Sequence, residues 1–597
     1  MNRIYSLAFL AITFFAKPFT VSGQDAPPLA EFLPAHAAVY VGISSADELT
    51  SKAQQTDFAK ILSLPGIKEY VQQFQSRLSA APSASSSALD FFSQLGSGGN
   101  KAALVICEGP RSSAEIALLI ETGAQLSKYQ ANLANLKASL TQGGFSPLSP
   151  APVGGIVAYE KLVTGAAPMA FCWFQSSNYV CISNNLKLAQ VIQVNLQSAE
   201  GAKAESLAKS GVCAECLKKC DKLKAADIWF YAVPTGIAQL TQSDPDDGIE
   251  PRDFMKKHGL HQIEAIAAKL QLAQGNREVE YDIFVRTARP YINSMQMLAL
   301  IPTAKLEPPA WLDDSANNLV QFQWTAQEML RGLNGPFDDA MQDPGSFAQM
   351  LEEMKTDIGP GVDLQKEIFD NLEAPLVLFG KSEGAVNGSS EHTFAAVKVK
   401  NESQVASAVK RLFIEDSNAV REAVGAVDLW KIGGKKPIGA KQQGVRFRSS
   451  GIAVTDGYLF MSSSADGLRR LLAGLSTPKT PLTKGEEYAR AKNELGPSAD
   501  DPAIYRLYYS IARDMQTTYM LLKEGKVEKA ESIYAQLLAP MIKADRQRGA
   551  AYDFSRLPDF KEVSKYLGTA FANGVDTPDG WKVHGFVLKN AAAAPAK

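Results

Sequence analysis

The sequence predicts an α+β fold in which one unit, a largely antiparallel sheet with helices packed on one face, occurs twice in tandem. Two stretches predict the repetition: Met169 to Leu196 and Gly451 to Leu475 each contain two apolar runs around a polar turn, followed by an apolar-periodic helix. The strands often come as hairpins, which favours antiparallel pairing. A parallel doubly wound sheet is the weaker interpretation, because strict alternation of strand and helix is missing.

The two stretches align without a gap when Tyr179 is placed on Tyr458. Ser183 then falls on Ser462, and Leu196 falls on Leu475. Elements of the same type precede and follow both stretches in the same order, so we interpret the chain as a tandem duplication.

The first repeat begins with a strand, Ala37 to Ile43, and a helix start in which Ser44 and Asp47 have capping-box spacing. A Ser/Ala-rich loop, Ala81 to Ala88, follows a helical segment. Further strands are predicted at Leu104–Cys107, Ile116–Ile120, Ile228–Tyr231 and Tyr281–Val285, and further helices at Leu126–Leu140 and Ile263–Leu270.

The second repeat reproduces this order, and Thr325 with Glu328 repeats the capping-box spacing. Strands are predicted at Leu319–Trp324, Leu376–Phe379, Phe394–Val399, Ile504–Tyr509 and Val583–Leu588, and helices at Val405–Phe413 and Val563–Phe571. An additional helical stretch, Met515 to Met541, distinguishes this repeat from the first.

The chain begins with the features of a cleavable signal peptide. Asn2 and Arg3 precede an apolar run, Ile4 to Phe15, and the small residues Val21-Ser22-Gly23 supply a cleavage site. We therefore expect a periplasmic or extracellular protein with no transmembrane segment in its mature chain. The predicted boundaries are a signal peptide at 1–23, a first repeat at 24–289, a linker at 290–309, a second repeat at 310–590 and a disordered tail at 591–597.

The charges are balanced, with 61 basic and 63 acidic side chains and a formal net charge of −2. They are interspersed, and no basic block of the kind that follows a phosphate backbone occurs. Nucleic acid is therefore not an expected partner, and the 46% hydrophobic content indicates a globular chain.

All six cysteines lie in the first half of the chain. If Ser176 and Ser177 form a two-residue hairpin turn, Cys172 faces Cys181 at a site where a disulfide can form. Such bonds persist in the compartments that exported proteins reach. The sequence therefore predicts a bridge between Cys172 and Cys181.

The remaining cysteines leave three interpretations open. On a helix, Cys213, Cys216 and Cys220 share one face, and with Cys107 they would supply four thiolates to zinc or an iron–sulfur cluster. A redox-active pair is the second interpretation, with Lys218 and Lys219 lowering a thiol pKa. Structural disulfides are the third and the favoured one for an exported chain, so all six cysteines are disulfide candidates and no cofactor is favoured.

No complete catalytic signature occurs in the sequence. His258, His261 and Glu264 follow one another at three-residue steps, but the spacing differs from that of zinc proteases and Gly259 weakens a helix there. A helix start with solvated polar residues explains this segment better.

Three segments resemble a family of large exported bacterial proteins that is catalogued only as a domain of unknown function. They are Phe32-Leu33-Pro34 before its strand, Gly361-Val362-Asp363-Leu364 before an apolar strand, and the hairpin Val454-Thr455-Asp456-Gly457-Tyr458. The resemblance covers nearly all of the mature chain. It implies an envelope or extracellular location, and it brings no activity or site residues.

The leading hypothesis is a non-enzymatic exported scaffold that binds a protein or ligand of the cell envelope or exterior. The alternative is a metal- or thiol-dependent activity centred on Cys213, Cys216 and Cys220. A third class, a hydrolase with paired carboxylates, stays open because such pairs form in space without a sequence motif.

Overall fold

The structure of the protein is a computed structural model. The structure describes residues 27–80, 101–109, 113–162, 168–198, 206–240, 250–302, 306–356, 359–384, 386–433, 449–475, 477, 479–499, 501–529, 542–543 and 553–590. The predicted signal peptide 1–23, the loop 81–88 and the tail 591–597 lie outside these residues. Within the described ranges, no helix combines the length and the apolar composition needed to cross a bilayer.

The chain forms two compact units that divide between Arg289 and Pro290. The first unit comprises the described part of Met1–Arg289 together with Thr577–His584. The second comprises the described parts of Pro290–Asp576 and of Gly585–Lys597. The predicted linker 290–309 belongs to the second unit, where Met295 and Leu306 are fully buried.

The first unit contains a ten-stranded antiparallel sheet in its described residues. The strands are β1 (Ala37–Ile43), β2 (Ala102–Glu108), β3 (Ala114–Glu121), β4 (Ser146–Pro147), β5 (Val157–Lys161), β6 (Met169–Ser176), β7 (Tyr179–Ser183), β8 (Ile228–Ala232), β9 (Ile263–Gln274) and β10 (Arg277–Thr287). Its helices are α1 (Ala46–Gln54), α2 (Asp57–Ser63), α3 (Ile67–Ala80), α4 (Leu126–Gln142), α5 (Leu186–Gln197), α6 (Gly211–Lys219), α7 (Pro234–Leu240) and α8 (Pro251–Lys257). The strand order is β4-β5-β6-β7-β3-β2-β1-β8-β9-β10.

The second unit is built from the following elements. The strands are β11 (Asn318–Phe322), β12 (Leu372–Ser382), β13 (Glu391–Val399), β14 (Ala419–Val424), β15 (Val427–Gly433), β16 (Ser449–Thr455), β17 (Tyr458–Ser462), β18 (Tyr505–Ser510) and β19 (Thr569–Thr577), and β20 (Gly580–Leu588) follows. The helices are α9 (Ala326–Met341), α10 (Ser346–Glu353), α11 (Glu402–Ile414), α12 (Ala465–Leu475), α13 (Glu486–Leu495), α14 (Ile511–Lys523) and α15 (Phe560–Ser564). The strand order is β14-β15-β16-β17-β13-β12-β11-β18-β19, again antiparallel.

The prediction of an α+β fold with antiparallel sheets is therefore confirmed, and the two units share one strand order. Some backbone hydrogen bonds outside the sheets also occur at equivalent places in the two units. Leu207 N–H donates to Leu33 O in the first unit, and Leu482 N–H donates to Leu312 O in the second, both at 2.8 Å. Each bond ties the segment before the unit's first strand to a short helical turn.

Helices pack on both faces of the first sheet, so the prediction of one covered face is wrong. Along β3, Ala117 and Leu119 face a core shared with α5 and α6. The intervening Leu118 and Ile120 face a second core, formed with α1 and α4. Because successive side chains of a strand point to opposite faces, apolar residues at every position require cover on both sides.

The second sheet is covered in the same way. Phe394 and Ala396 of β13 lie in a core with α12 and α13. Val399 lies in another core with α11, and Val397 contacts Trp324 just before α9. The apolar runs Ala117–Ile120 of β3 and Phe394–Val397 of β13 are therefore continuous, because both faces of the sheet are covered there.

Two predicted helices are wrong. Ile263–Leu270 forms part of strand β9, and Val563–Phe571 contains only the end of α15 before β19 begins. The alanines of β9 favour a helix by intrinsic propensity. Pairing with β8 and β10 overrides that preference and buries Ala265 and Ala267 completely.

Candidate functional site

All six cysteines are free and buried. Cys107, Cys172, Cys181, Cys213, Cys216 and Cys220 belong to one apolar core, which lies between the first sheet and helices α5 and α6. The fold therefore gathers the cysteines on one side of the sheet, but within an apolar interior rather than at a surface cleft.

The predicted bridge between Cys172 and Cys181 is wrong because the hairpin turn lies one residue later than predicted. Ser176 pairs with Tyr179, so Cys172 faces Ser183 while Cys181 faces Phe174. Ser177 takes a positive φ of 50° in this turn. Diagonal neighbours of this kind lie about 7–8 Å apart, beyond the span of a disulfide.

The three-cysteine segment forms α6 and its C-terminal end, as the helical interpretation predicted. Cys213 and Cys216 lie on the inward face of α6, and Cys220 follows its last residue. The Cys220 thiol donates to the carbonyl of Ala267 at 3.6 Å. Among the described residues, no group of three His, Cys, Asp or Glu side chains is placed to hold a metal ion.

Burial keeps these thiols protonated. It raises the pKa of Cys107, Cys213 and Cys220 to about 12, and that of Cys216 to about 11 despite the nearby Arg286 charge. The expected lowering of a thiol pKa by Lys218 or Lys219 is not found, and Lys219 pairs instead with Asp579 at 2.9 Å. Because the thiolate is the nucleophile in thiol chemistry, neutral thiols do not fit the redox hypothesis.

The histidine segment carries no constellation of ligands either. His258 is buried, and its ring lies 4.4 Å from that of Phe254. Glu264 pairs with Arg286 at 2.8 Å. The segment therefore serves packing and surface charge pairing.

A buried charged cluster in the first unit was missed by sequence reasoning. Asp282 and Lys269 are cross-strand neighbours on β10 and β9, and both are buried. The Lys222 N–H donates to Asp282 at 2.8 Å, while the Lys269 ammonium lies 4.6 Å from the ring centre of Trp229. Both side chains hold the loop after α6 against the sheet, since Asp282 accepts from the Lys222 N–H and Lys269 donates to Leu223 O at 3.5 Å.

A groove of about 950 Å³ lies beside α14 in the second unit. One wall is a stripe along this helix, in which Arg513, Gln516, Met520 and Glu524 recur at steps of three and four residues. Ser555 and residues of the segment Asp559–Ser564 form the opposite wall.

Helix α14 is anchored to the sheet by a partly buried polar contact. Asp514 accepts hydrogen bonds from Asn318 at 2.6 Å and from Tyr509 at 2.5 Å. Thr517, Thr518 and Leu521 face inward on the same helix, so its other face is left for the groove. The helix has 13 residues, whereas α7, at the same place in the strand order of the first unit, has seven.

The middle of the groove is apolar. The rings of Tyr519 and Phe560 lie 5.5 Å apart across it, and the Tyr519 hydroxyl donates to Pro558 O at 2.8 Å. Burial, with a smaller contribution from the Asp559 carboxylate, raises the pKa of Tyr519 to about 12. The neutral phenol therefore braces the two walls and takes no part in acid–base chemistry near neutral pH.

The ends of the groove are charged. Lys523 forms an ion pair with Asp559 across the groove and lowers the pKa of that carboxyl. Arg513 forms an ion pair with Glu487 at 2.9 Å, and this pair fixes the position of the Arg513 side chain. The arrangement offers a braced apolar centre between charged ends, which suits binding rather than catalysis.

The predicted additional helix overlaps this site, because Met515–Met541 includes most of α14, although 530–541 lie outside the described residues. The helical spacing of the stripe is visible in the sequence. The opposite wall is not visible there, because Asp559 and Phe560 come from a separate segment of the chain.

No family model, curated protein or solved structure matches this chain.

Proposed function

We propose that this protein is an exported, non-enzymatic scaffold that binds a partner through the groove beside α14. The groove itself carries the proposal, since it joins an apolar centre to charged ends on a helix that is anchored from beneath. The neutral, buried state of the cysteines supports a structural role for them rather than the thiol- or metal-dependent alternative.

We further propose that the two units arose by tandem duplication. Their common strand order supports this origin, as do hydrogen bonds at aligned positions. Thr122 N–H donates to Asn178 O at 2.6 Å, and Val399 N–H donates to Gly457 O at 2.8 Å. In this account, the second copy acquired the longer helix α14, and with it the binding groove.

An envelope or extracellular location is part of the same proposal. It rests on the signal-like segment 1–23 and on the resemblance to exported bacterial proteins described above. A scaffold in that location needs no cofactor and no turnover, and its partner would be another component of the envelope or the medium.

Site-specific photo-crosslinking in the source cell tests the proposal. Gln516 in the groove is replaced by p-benzoyl-phenylalanine, and the matched control carries the same replacement at Gln349, an exposed glutamine on α10 of the same unit. We expect a discrete adduct with one protein from the Gln516 position only. Equal labelling at both positions, or no adduct at Gln516 in cells that express the protein normally, would contradict the proposal.

A further inference from the structure

The charged side chains that line the groove differ in whether they have an ion-pair partner. Asp559 pairs with Lys523, and Glu524 pairs with Lys526 at 2.9 Å. Lys561 is exposed and forms no ion pair with any residue that the structure describes. The charge left available to a ligand is therefore positive, and it lies on the wall opposite α14.

A free hydrogen-bonding group lies on the other wall. The side-chain amide of Gln516 is exposed and makes no hydrogen bond within the described part of the chain. An amide donates through its nitrogen and accepts through its oxygen, so it can pair with both groups of a peptide backbone.

The floor has the composition of a protein-binding surface. We use the term apolar floor for the large apolar side chains that line the groove, which are Met520 of the α14 wall and the paired rings of Tyr519 and Phe560. Methionine and aromatic residues are enriched at protein interfaces, and the flexible thioether adapts to side chains of different shape.

The length of the groove favours a peptide over a small molecule. The stripe on α14 extends from Ala512 to Glu524, which corresponds to about 18 Å at the helical rise. An extended chain covers that distance with roughly five residues.

We propose that the groove binds an extended peptide segment of a partner protein in which an apolar side chain stands next to an acidic one. The apolar side chain packs between Met520 and Phe560, the carboxylate pairs with Lys561, and the peptide backbone bonds to Gln516. This inference rests on the binding function proposed above and adds the chemistry of the partner.

Selection from a random seven-residue peptide library displayed on phage tests the binding function and the chemistry of the partner separately. The full-length mature protein is the bait, and Met520→Asp, which places a charge in the apolar floor, is the control bait. A third bait, Lys561→Glu, reverses the free charge on an exposed side chain, and circular dichroism verifies that each variant is folded.

We expect peptides selected by the native protein to combine an apolar residue with an excess of Asp and Glu, and Lys561→Glu to shift that excess to Lys and Arg. Replacing the selected acidic residue by its amide should weaken peptide binding about two- to fivefold for the native protein. It should not weaken binding to the variant Lys561→Gln, which lacks the positive charge.

Selected peptides without an acidic excess would overturn the partner chemistry alone. Equal enrichment on Met520→Asp would overturn the binding function as well. Concentration-dependent dimers that Met520→Asp abolishes would replace the partner protein by a second copy.

Discussion

The ring of Tyr179 lies 5.4 Å from the ring of Phe32, and Tyr458, which aligns with Tyr179, has the same separation from the ring of Trp311. In each unit, this contact joins the segment before the first strand to the hairpin that the sequence repeats. The contact therefore occurs at the same place in both units, and Tyr179 and Tyr458, which align in the sequence, lie at the same point of both folds.

Ser183 and Ser462 should make equal contributions to the stability of their units. Each hydroxyl donates to a carbonyl of the neighbouring strand, at 2.8 Å and 3.1 Å, and accepts the N–H two residues later. Replacing either by alanine should lower the free energy of unfolding by about 1–2 kcal/mol, measured by urea denaturation. Ser139→Ala, on the exposed side of α4, should change it by less than about 0.5 kcal/mol. A cost at only one of the two serines would argue against equivalent roles.

All six cysteines should be unreactive in the folded protein and free after unfolding. Each is buried in the apolar core of the first unit, so thiol reagents reach none of them until that core opens. The check is intact mass after alkylation without a reductant, under native and then denaturing conditions. Six added groups are expected after denaturation, and fewer would reveal a disulfide.

Asp282→Asn should stabilise the protein near pH 7. Burial raises the pKa of Asp282 to about 6, although the Lys222 N–H and the Lys582 charge oppose this. A raised carboxyl pKa favours folding below about pH 4, and that contribution is lost as the pH rises through about 6. The asparagine should therefore raise the free energy of unfolding by about 1–3 kcal/mol at pH 7 and change it little at pH 4.

Urea unfolding across pH 4 to 8 measures this difference. Asp221→Asn is the matched control, because Asp221 is largely exposed and pairs with Lys582 at 2.7 Å. A stability difference between Asp282→Asn and the native protein that does not vary with pH would refute the buried-charge account.

Asp313→Asn should have the opposite effect. Burial disfavours ionisation of Asp313, but hydrogen bonds from Lys381 and Ser315 outweigh it and lower its pKa to about 2. The stabilisation is present above about pH 4 and is lost as the pH falls through about 2. Breaking this buried pair should cost about 3 kcal/mol at pH 7 in urea unfolding, and progressively less below pH 4. Asp428→Asn, in the exposed pair with Arg421, should cost less than about 1 kcal/mol.

The sequence predicted those turns and helix ends whose conformation depends on neighbouring residues alone. Asp456 and Gly457, both with positive φ, form the turn between β16 and β17 that the hairpin motif predicts. Ser44 was predicted as the cap of α1, but its hydroxyl donates to Ala226 O at 2.6 Å, and Ser45 caps the helix instead. The partner of Ser44 lies far away in sequence, so spacing alone could not identify it.

In the candidate site, too, contacts between residues far apart in sequence could not be predicted. Helical spacing revealed one wall of the groove, while the position of Phe560 against Tyr519 depends on how a separate segment packs. The sequence favoured structural disulfides for the cysteines and left metal and redox chemistry open, whereas all six are free thiols. What decides their state is burial between helix and sheet, which the spacing of Cys213 and Cys216 does not encode.

Hydrogen–deuterium exchange of the protein, with and without the tightest peptide from the library, tests most directly the central claim that the groove beside α14 binds a partner. Binding in the groove should slow exchange in α14, Ile511–Lys523, and in Phe554–Ser564, and leave α7 of the first unit, Pro234–Leu240, unchanged. Protection that avoids α14, or that appears equally in α7, would contradict the assignment of binding to this groove.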